Sequence, residues 1–252
     1  MDTIDSNRPA ETLTLPPRGW RITSRHALIA ALVCWAAFAV VVVLVLSNRL
    51  SQFDSAGLQY FRSGPDSVPR GPPALLEAVR DWTALGGVLL RNLFALIAIA
   101  ALLLVRLRRE ATLLAATILS GWVVNTLIKV LVGRPRPTIV SHLAEAGGSS
   151  FPSGHSFNSA VVYMGIALAL AALSARRWVR WTMIFGAATL TALIALSRVW
   201  LGVHYPSDVL AGWLGGMAWA FTASAVLYRP AKSIADAAAP QLEAATPGEL
   251  RN

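Results

Sequence analysis

The chain has 252 residues, of which 55% are hydrophobic and 14% charged, against roughly 25% charged in an ordinary soluble domain. Such a balance argues for a membrane protein with several spans and leaves no room for a large extra domain. The net charge of +9 does not imply nucleic acid, because the basic residues form no stripe with interleaved aromatics. The single cysteine, Cys34, excludes an intramolecular disulfide.

Residues 1–26 are polar and Pro-rich, with no cleavable signal peptide evident, and are expected to form a cytoplasmic tail. Six apolar runs of spanning length follow: Ala27–Leu46, Gly87–Val105, Ala111–Val132, Ser156–Leu173, Trp181–Leu201 and Ser207–Tyr228. The expected fold is an all-α integral membrane protein, a bundle of about six transmembrane helices over residues 27–228. A second cytoplasmic tail, 229–252, follows it. The longest connection, 47–86, is amphipathic, and one or two short interfacial helices are expected there, separated at Gly64-Pro65 and Gly71-Pro72-Pro73. The nine tryptophans are read as an aromatic belt near the span ends. Gly212 and Gly216 form a small-xxx-small pair, read as packing within the chain rather than as a dimer seam.

Orientation follows from the basic residues. With the N-terminus inside, the inner face carries Arg8, Arg18, Arg21, Arg25, Arg106, Arg108, Arg109, Arg176, Arg177, Arg180, Arg229, Lys232 and Arg251, which is 13 of the 22. Of the other nine, Lys129, Arg134, Arg136 and Arg198 belong to the segments discussed next, and five are assigned to the 47–86 connection. Both termini are therefore expected to be cytoplasmic, in a bacterial inner membrane.

Three polar segments interrupt this apolar chain, all on the outer face in that topology. The first carries Lys129, Arg134 and Arg136-Pro137; the second is Pro152-Ser153-Gly154-His155; the third runs from Ser197-Arg198 through His204 to Asp208. Cations inside a membrane are costly and mark function. Lys129 offers a point charge, and Arg136 and Arg198 offer planar forks that suit phosphoryl oxygens. Ser153 is placed to cap a helix whose free amides face an anion, and Gly154 leaves that approach open. Asn125, one helical turn before Lys129, is expected to orient its amine. Arg134 is read either as an addition to the phosphate site or as turned outward by Pro135. His142 is read as a solvated loop histidine.

The spacing of His204 and Asp208 lets the carboxylate take a proton from one ring nitrogen and leaves the other free to attack phosphorus. His155, without a carboxylate in its segment, suits the proton donor to the leaving oxygen. No clustered carboxylates at metal spacing and no Gly-rich nucleotide loop occur, so the expectation is chemistry without metal or cofactor.

These segments resemble the three signature motifs of the type 2 phosphatidic acid phosphatase superfamily, in its membrane-embedded form. Lys129 with Arg136-Pro137 matches the first motif, Pro152 to His155 the second, and Ser197-Arg198, His204 and Asp208 the third. The resemblance implies a helical bundle that dephosphorylates lipid phosphates through a phosphohistidine on His204. It also implies His155 as acid, Asp208 as orienter, and Lys129, Arg136, Ser153, Gly154 and Arg198 as phosphate cradle. The expected partners are the bilayer and a lipid phosphate: undecaprenyl pyrophosphate, phosphatidylglycerophosphate or phosphatidic acid. Two alternatives stand beside it, a phosphotransferase to a sugar-lipid hydroxyl and a non-catalytic lipid-binding or transport protein of the same fold.

Overall fold

The structure, a computed structural model, describes residues 24–64, 68–174 and 176–227. Most of the two expected tails lies outside these residues; only 24–26 are described, and they open the first helix. That helix, α1, spans Ser24–Leu46, and α2 spans Ser51–Tyr60. A two-stranded antiparallel ribbon, β1 (Arg62–Ser63) with β2 (Val68–Pro69), leads to α3, Pro73–Leu85. Then come α4 (Val88–Leu104), α5 (Arg108–Val132), α6 (Gly154–Ala171), α7 (Arg177–Trp200) and α8 (Pro206–Leu227).

Five of these helices (α1, α5, α6, α7 and α8) are long and apolar enough to cross a membrane, and α3 with α4, bent by 46° at their junction, pass the same test only when counted together as one broken span. The chain is an integral membrane protein of the expected all-α class. The connection between α1 and α4 holds the two short helices that its composition implied. The β1–β2 ribbon between them was not foreseen, because two-residue strands leave no periodic signal. Arg91, counted with that connection although it falls within the Gly87–Val105 run, lies in the first turn of α4. It is buried there and donates to the Gly86 carbonyl at 3.0 Å.

Polarity decides which helices the bundle encloses. The most apolar window of α1 has a mean hydropathy of 3.0 and is 17% buried, whereas that of α6 has 1.2 and is 78% buried. Polar side chains within a span turn inward, so α6 runs through the centre and α1 faces lipid. Between helices surrounded by lipid tails, apolar contact alone gives little attraction, and close approach of small residues does more. Gly212 and Gly216 of α8 provide that approach. A Cβ at Gly212 would meet the Ser153 carbonyl oxygen at 2.7 Å, and one at Gly216 would meet Ala160 Cβ at 2.7 Å and strike the Phe157 carbonyl. The pair therefore seats α8 on α6 within the chain.

The tryptophans depart from a simple belt. Trp35, Trp122 and Trp219 lie near the middles of α1, α5 and α8. The indole of Trp35 donates to Thr222 at 3.0 Å, and that of Trp219 donates to the Thr117 carbonyl at 3.1 Å. An indole needs one acceptor wherever it is buried, and each such bond between spans is worth about 0.6 kcal/mol. The rings of Trp35 and Trp219 tie helices together.

Two local features shape the site. Helix α5 ends on Gly133, whose left-handed backbone (φ +60°) lets its amide bond the Lys129 carbonyl at 3.0 Å. That left-handed glycine stop releases Arg134 to Pro137 from the helix. The connection that follows is long and irregular but well tied. Ser150 N donates to the Arg134 carbonyl at 2.7 Å, Leu143 N donates to the Leu201 carbonyl at 2.9 Å, and Phe151 is fully buried. The exposed His142 bonds the Pro137 carbonyl through Nε2 at 2.7 Å, which makes it a loop tie.

Candidate active site

The C-terminal ends of α5 and α7 meet the N-terminal ends of α6 and α8, and the three polar segments converge there. The Ser153 amide donates to the Asp208 carbonyl at 3.0 Å, binding the second segment to the third. Arg136 reaches His204, binding the first to the third. The common face required by counting spans is thus found as direct contact.

His204 occupies the turn between α7 and α8 and is 2% exposed. Its Nε2 lies 3.1 Å from Arg136 Nη1. A guanidinium only donates, so Nε2 must be the acceptor and Nδ1 carries the proton. On that side Ser150 Oγ stands at 3.3 Å and Asp208 Oδ2 at 3.6 Å. Ser150 donates its own proton to Asp208 Oδ2 at 2.5 Å, which leaves its lone pairs toward the ring. The serine hydroxyl therefore stands between the carboxylate and the imidazole, where the sequence suggested direct contact. Burial pushes the His204 imidazolium down to about 4, and the Asp208 charge pulls only partly against it. The ring is neutral at physiological pH, and its one lone pair, on Nε2, accepts from Arg136.

The three cradle cations are held by neutral acceptors. Lys129 Nζ donates to the Ser149 carbonyl at 2.7 Å, not to Asn125 as its position suggested. Arg198 Nη1 donates to Thr83 Oγ1 of α3 at 2.9 Å. Arg136 is braced by the carbonyls of Gly147, Gly148 and Val203 at 2.7, 3.1 and 2.8 Å. The ion pairs at the site include Arg134–Asp54 and Arg134–Asp208. Lys129, Arg136 and Arg198 enter none of them. Three cations without a carboxylate, in a chain this apolar, make a site that favours an anion.

Ser153 stands at the N-cap of α6 with extended backbone (φ −63°, ψ 119°), yet its hydroxyl makes no cap bond. Ser153 Oγ, Arg198 Nε and Asn125 Oδ1 are buried polar atoms without a partner in the protein. Native proteins rarely leave such groups unpaired away from functional sites. Gly154 adjoins this cradle: a Cβ there would lie 3.6 Å from Lys129 Cε and from Asn125 Nδ2. His155 follows it in the first turn of α6, under the bend between α3 and α4. A Cβ at Gly86 would come within 3.2 Å of its ring.

Arg134 takes neither position suggested for it. Nη1 donates to Asp208 Oδ1 at 2.7 Å and Nη2 to Asp54 Oδ2 at 2.7 Å. Burial opposes its charge first, but the two carboxylates hold its pKa above the ordinary value. Sequence reasoning passed over Asp54, Ser150 and Thr83. Their partners lie 80, 58 and 115 positions away in the chain, so no local spacing could reveal them. Among the described residues, no group of three or more His, Cys, Asp and Glu gathers as a metal-ligand set.

Similarity to known proteins agrees with this arrangement. Residues 109–231 match the model of the PAP2 superfamily. The chain is 34% identical over 111 residues to an undecaprenyl-diphosphatase of Bacillus subtilis, covering 41% of this chain and 50% of that one. It is 37% identical over 97 residues to phosphatidylglycerophosphatase B of the same organism, covering 37% and 46%. The chain thus spans about half the length of the curated relatives it matches. The crystal structure of a transmembrane PAP2-type phosphatidylglycerolphosphate phosphatase from Bacillus subtilis superposes with a TM-score of 0.69 at 26% identity, over 77% of this chain and 93% of that one. Matched both in the segment that carries all three polar motifs and in the fold that brings them together, the chain is similar, through residues 109–231, to the PAP2 superfamily.

Proposed function

We propose that the chain hydrolyses the phosphate or pyrophosphate monoester of a membrane lipid, with His204 as nucleophile. The observation that carries this reading is a site with three cations, Lys129, Arg136 and Arg198, none in an ion pair among the described residues, of which Arg136 meets the unprotonated Nε2 of a buried neutral histidine. The cations draw the phosphoryl oxygens in, and Ser153 Oγ and Arg198 Nε gain the partners they lack in the protein. Nε2 then attacks phosphorus. A P–N bond forms, the P–O bond to the leaving lipid alcohol (from a monoester) or lipid phosphate (from a pyrophosphate) breaks, and the His155 imidazolium delivers its proton to the leaving oxygen. A phosphate dianion beside His155 favours the protonated ring that this step needs. In the second half a water attacks the phosphohistidine, the P–N bond breaks, and His155 takes the proton from the water. The three cations carry the charge stabilisation that metal ions supply in many phosphoryl transfers. The relatives named for a polyprenyl diphosphate and for phosphatidylglycerophosphate support a lipid of that kind as substrate.

Purified protein in detergent is expected to release phosphate from undecaprenyl pyrophosphate or phosphatidylglycerophosphate with EDTA present. No release from either would overturn the reading, and release that stops in EDTA would overturn the metal-free mechanism. For orientation, the basic residues favour cytoplasmic termini and an outward site in a bacterial inner membrane. A reporter fused after the exposed Ser141 is accordingly expected outside the cytoplasm; a cytoplasmic signal there reverses the topology.

A further inference from the structure

The short helix α2 places a carboxylate, Asp54, in full burial at 1% exposure. Its Oδ1 accepts the Ser207 amide at 2.9 Å, and its Oδ2 accepts the Ser207 hydroxyl and Arg134 Nη2, both at 2.7 Å. Arg134 spends its other arm on Ser207 Oγ at 2.8 Å and Asp208 Oδ1 at 2.7 Å. The face of its guanidinium lies over the Tyr205 ring, 4.1 Å from the centroid. The result is a chain, Asp54–Arg134–Asp208, that ends on the carboxylate behind His204.

Stability alone does not account for it. A buried ion pair often contributes no more than well-packed apolar residues of the same volume, because desolvation offsets the attraction. Nor does Arg134 serve the phosphate, since both of its terminal nitrogens are engaged with carboxylates. Charge supplies the reason. When Nε2 of His204 attacks phosphorus and Nδ1 keeps its proton, the ring becomes cationic and needs a net negative partner. Arg134 by itself would cancel Asp208. With Asp54 ionised as well, the three groups sum to one negative charge, and Arg134 still fixes Asp208 in place.

We infer that Asp54 and Arg134 are positioning residues for the nucleophile: Arg134 locks the Asp208 carboxylate, and Asp54 keeps that carboxylate's charge from being cancelled. The inference rests on the histidine mechanism proposed above.

The test is a charge rescue. Asp54→Asn, measured per folded monodisperse protein, is expected to lower kcat by about 10–100-fold, as loss of an outer partner of an oriented imidazole does, with KM for the lipid phosphate within about twofold. Adding Arg134→Gln restores the net negative charge, so the double variant should turn over faster than Asp54→Asn alone. A purely structural role predicts a double variant no better than the single one, and that result, or full kcat in Asp54→Asn, overturns the inference. Should Asp54→Asn not fold, Arg134→Lys carries the test. It keeps the charge but cannot bridge two carboxylates, so kcat should fall with KM held, and unchanged kcat overturns the inference. The 15N resonances of the His204 ring, recorded without substrate, separate this failure from that of the phosphatase reading. Wild-type protein that releases no phosphate fails the phosphatase reading. Ring resonances identical in wild type and Asp54→Asn, or in wild type and Arg134→Lys, fail the positioning pair.

Discussion

His204→Ala is expected to remove turnover of a lipid phosphate by a factor of about 10⁴ or more, the scale on which loss of a nucleophile is felt. The expectation follows from geometry more than from the identity of the residue. Nε2 is the one nitrogen of that ring with a lone pair, and it faces Arg136 at 3.1 Å. No other side chain in the third segment has a nitrogen so prepared. His155 lies outside the Ser150–Asp208 arrangement that fixes a tautomer, so it does not take over. Two readouts check the expectation: steady-state phosphate release, and rapid-quench detection of an acid-labile phosphoenzyme after a pulse of labelled substrate. The wild type should form the phosphoenzyme and the variant should not. Turnover within tenfold of wild type in a folded His204→Ala protein would sink the nucleophile assignment. Because the side chain is buried, gel filtration and thermal unfolding must first show that the variant keeps its fold.

Much of this arrangement was legible before any coordinates, and the reason is physical. A run of about 20 apolar residues has few alternatives to a span, so the six runs reappear as α1 and α4 to α8 with ends moved by a few residues. Helix α7 begins at Arg177, four positions before the apolar run at Trp181, because its charged first turn continues the helix where hydropathy gives no sign of it. The convergence of Lys129, Arg136, Ser153, His155, Arg198, His204 and Asp208 also followed from the chain, since span parity alone puts them on one face. The electrostatics behind His204 did not. Asp54 looked like one more charge in an amphipathic segment, and Ser150 like one more serine in a loop. Arg134 stood beside a motif without a partner in view. What gives these three their meaning is a set of contacts that close only when α2, the loop before α6 and the start of α8 pack together.

Asp208→Asn is expected to lower kcat by roughly 10³–10⁴-fold while leaving KM within a few-fold, because Asp208 is fully buried behind the ring and does not touch the phosphate. Every group around this carboxylate is a donor. Arg134 Nη1 points at Oδ1, while Ser150 Oγ, the Tyr205 amide and the His204 Nδ1 side converge on Oδ2. An asparagine has one acceptor end and one donor end. The charged guanidinium claims the acceptor, so the amide NH₂ turns toward Ser150 and the ring. Ser150 Oγ, having lost its acceptor and taken the amide as donor, turns its own proton to Nδ1, and the tautomer with the proton on Nε2 is favoured. That protonates the atom that must attack. The pH dependence distinguishes this cause from a simple loss of charge. Asp208 pulls the His204 pKa upward against burial, so its removal moves the ring from about 4 to lower values. The acid limb of kcat/KM therefore shifts down in pH, and raising the pH restores nothing, because the fault is tautomeric and not protonic. A variant whose activity returns at high pH, or whose ring 15N shifts still show Nδ1–H, would contradict the assignment of Asp208 as the residue that orients the nucleophile.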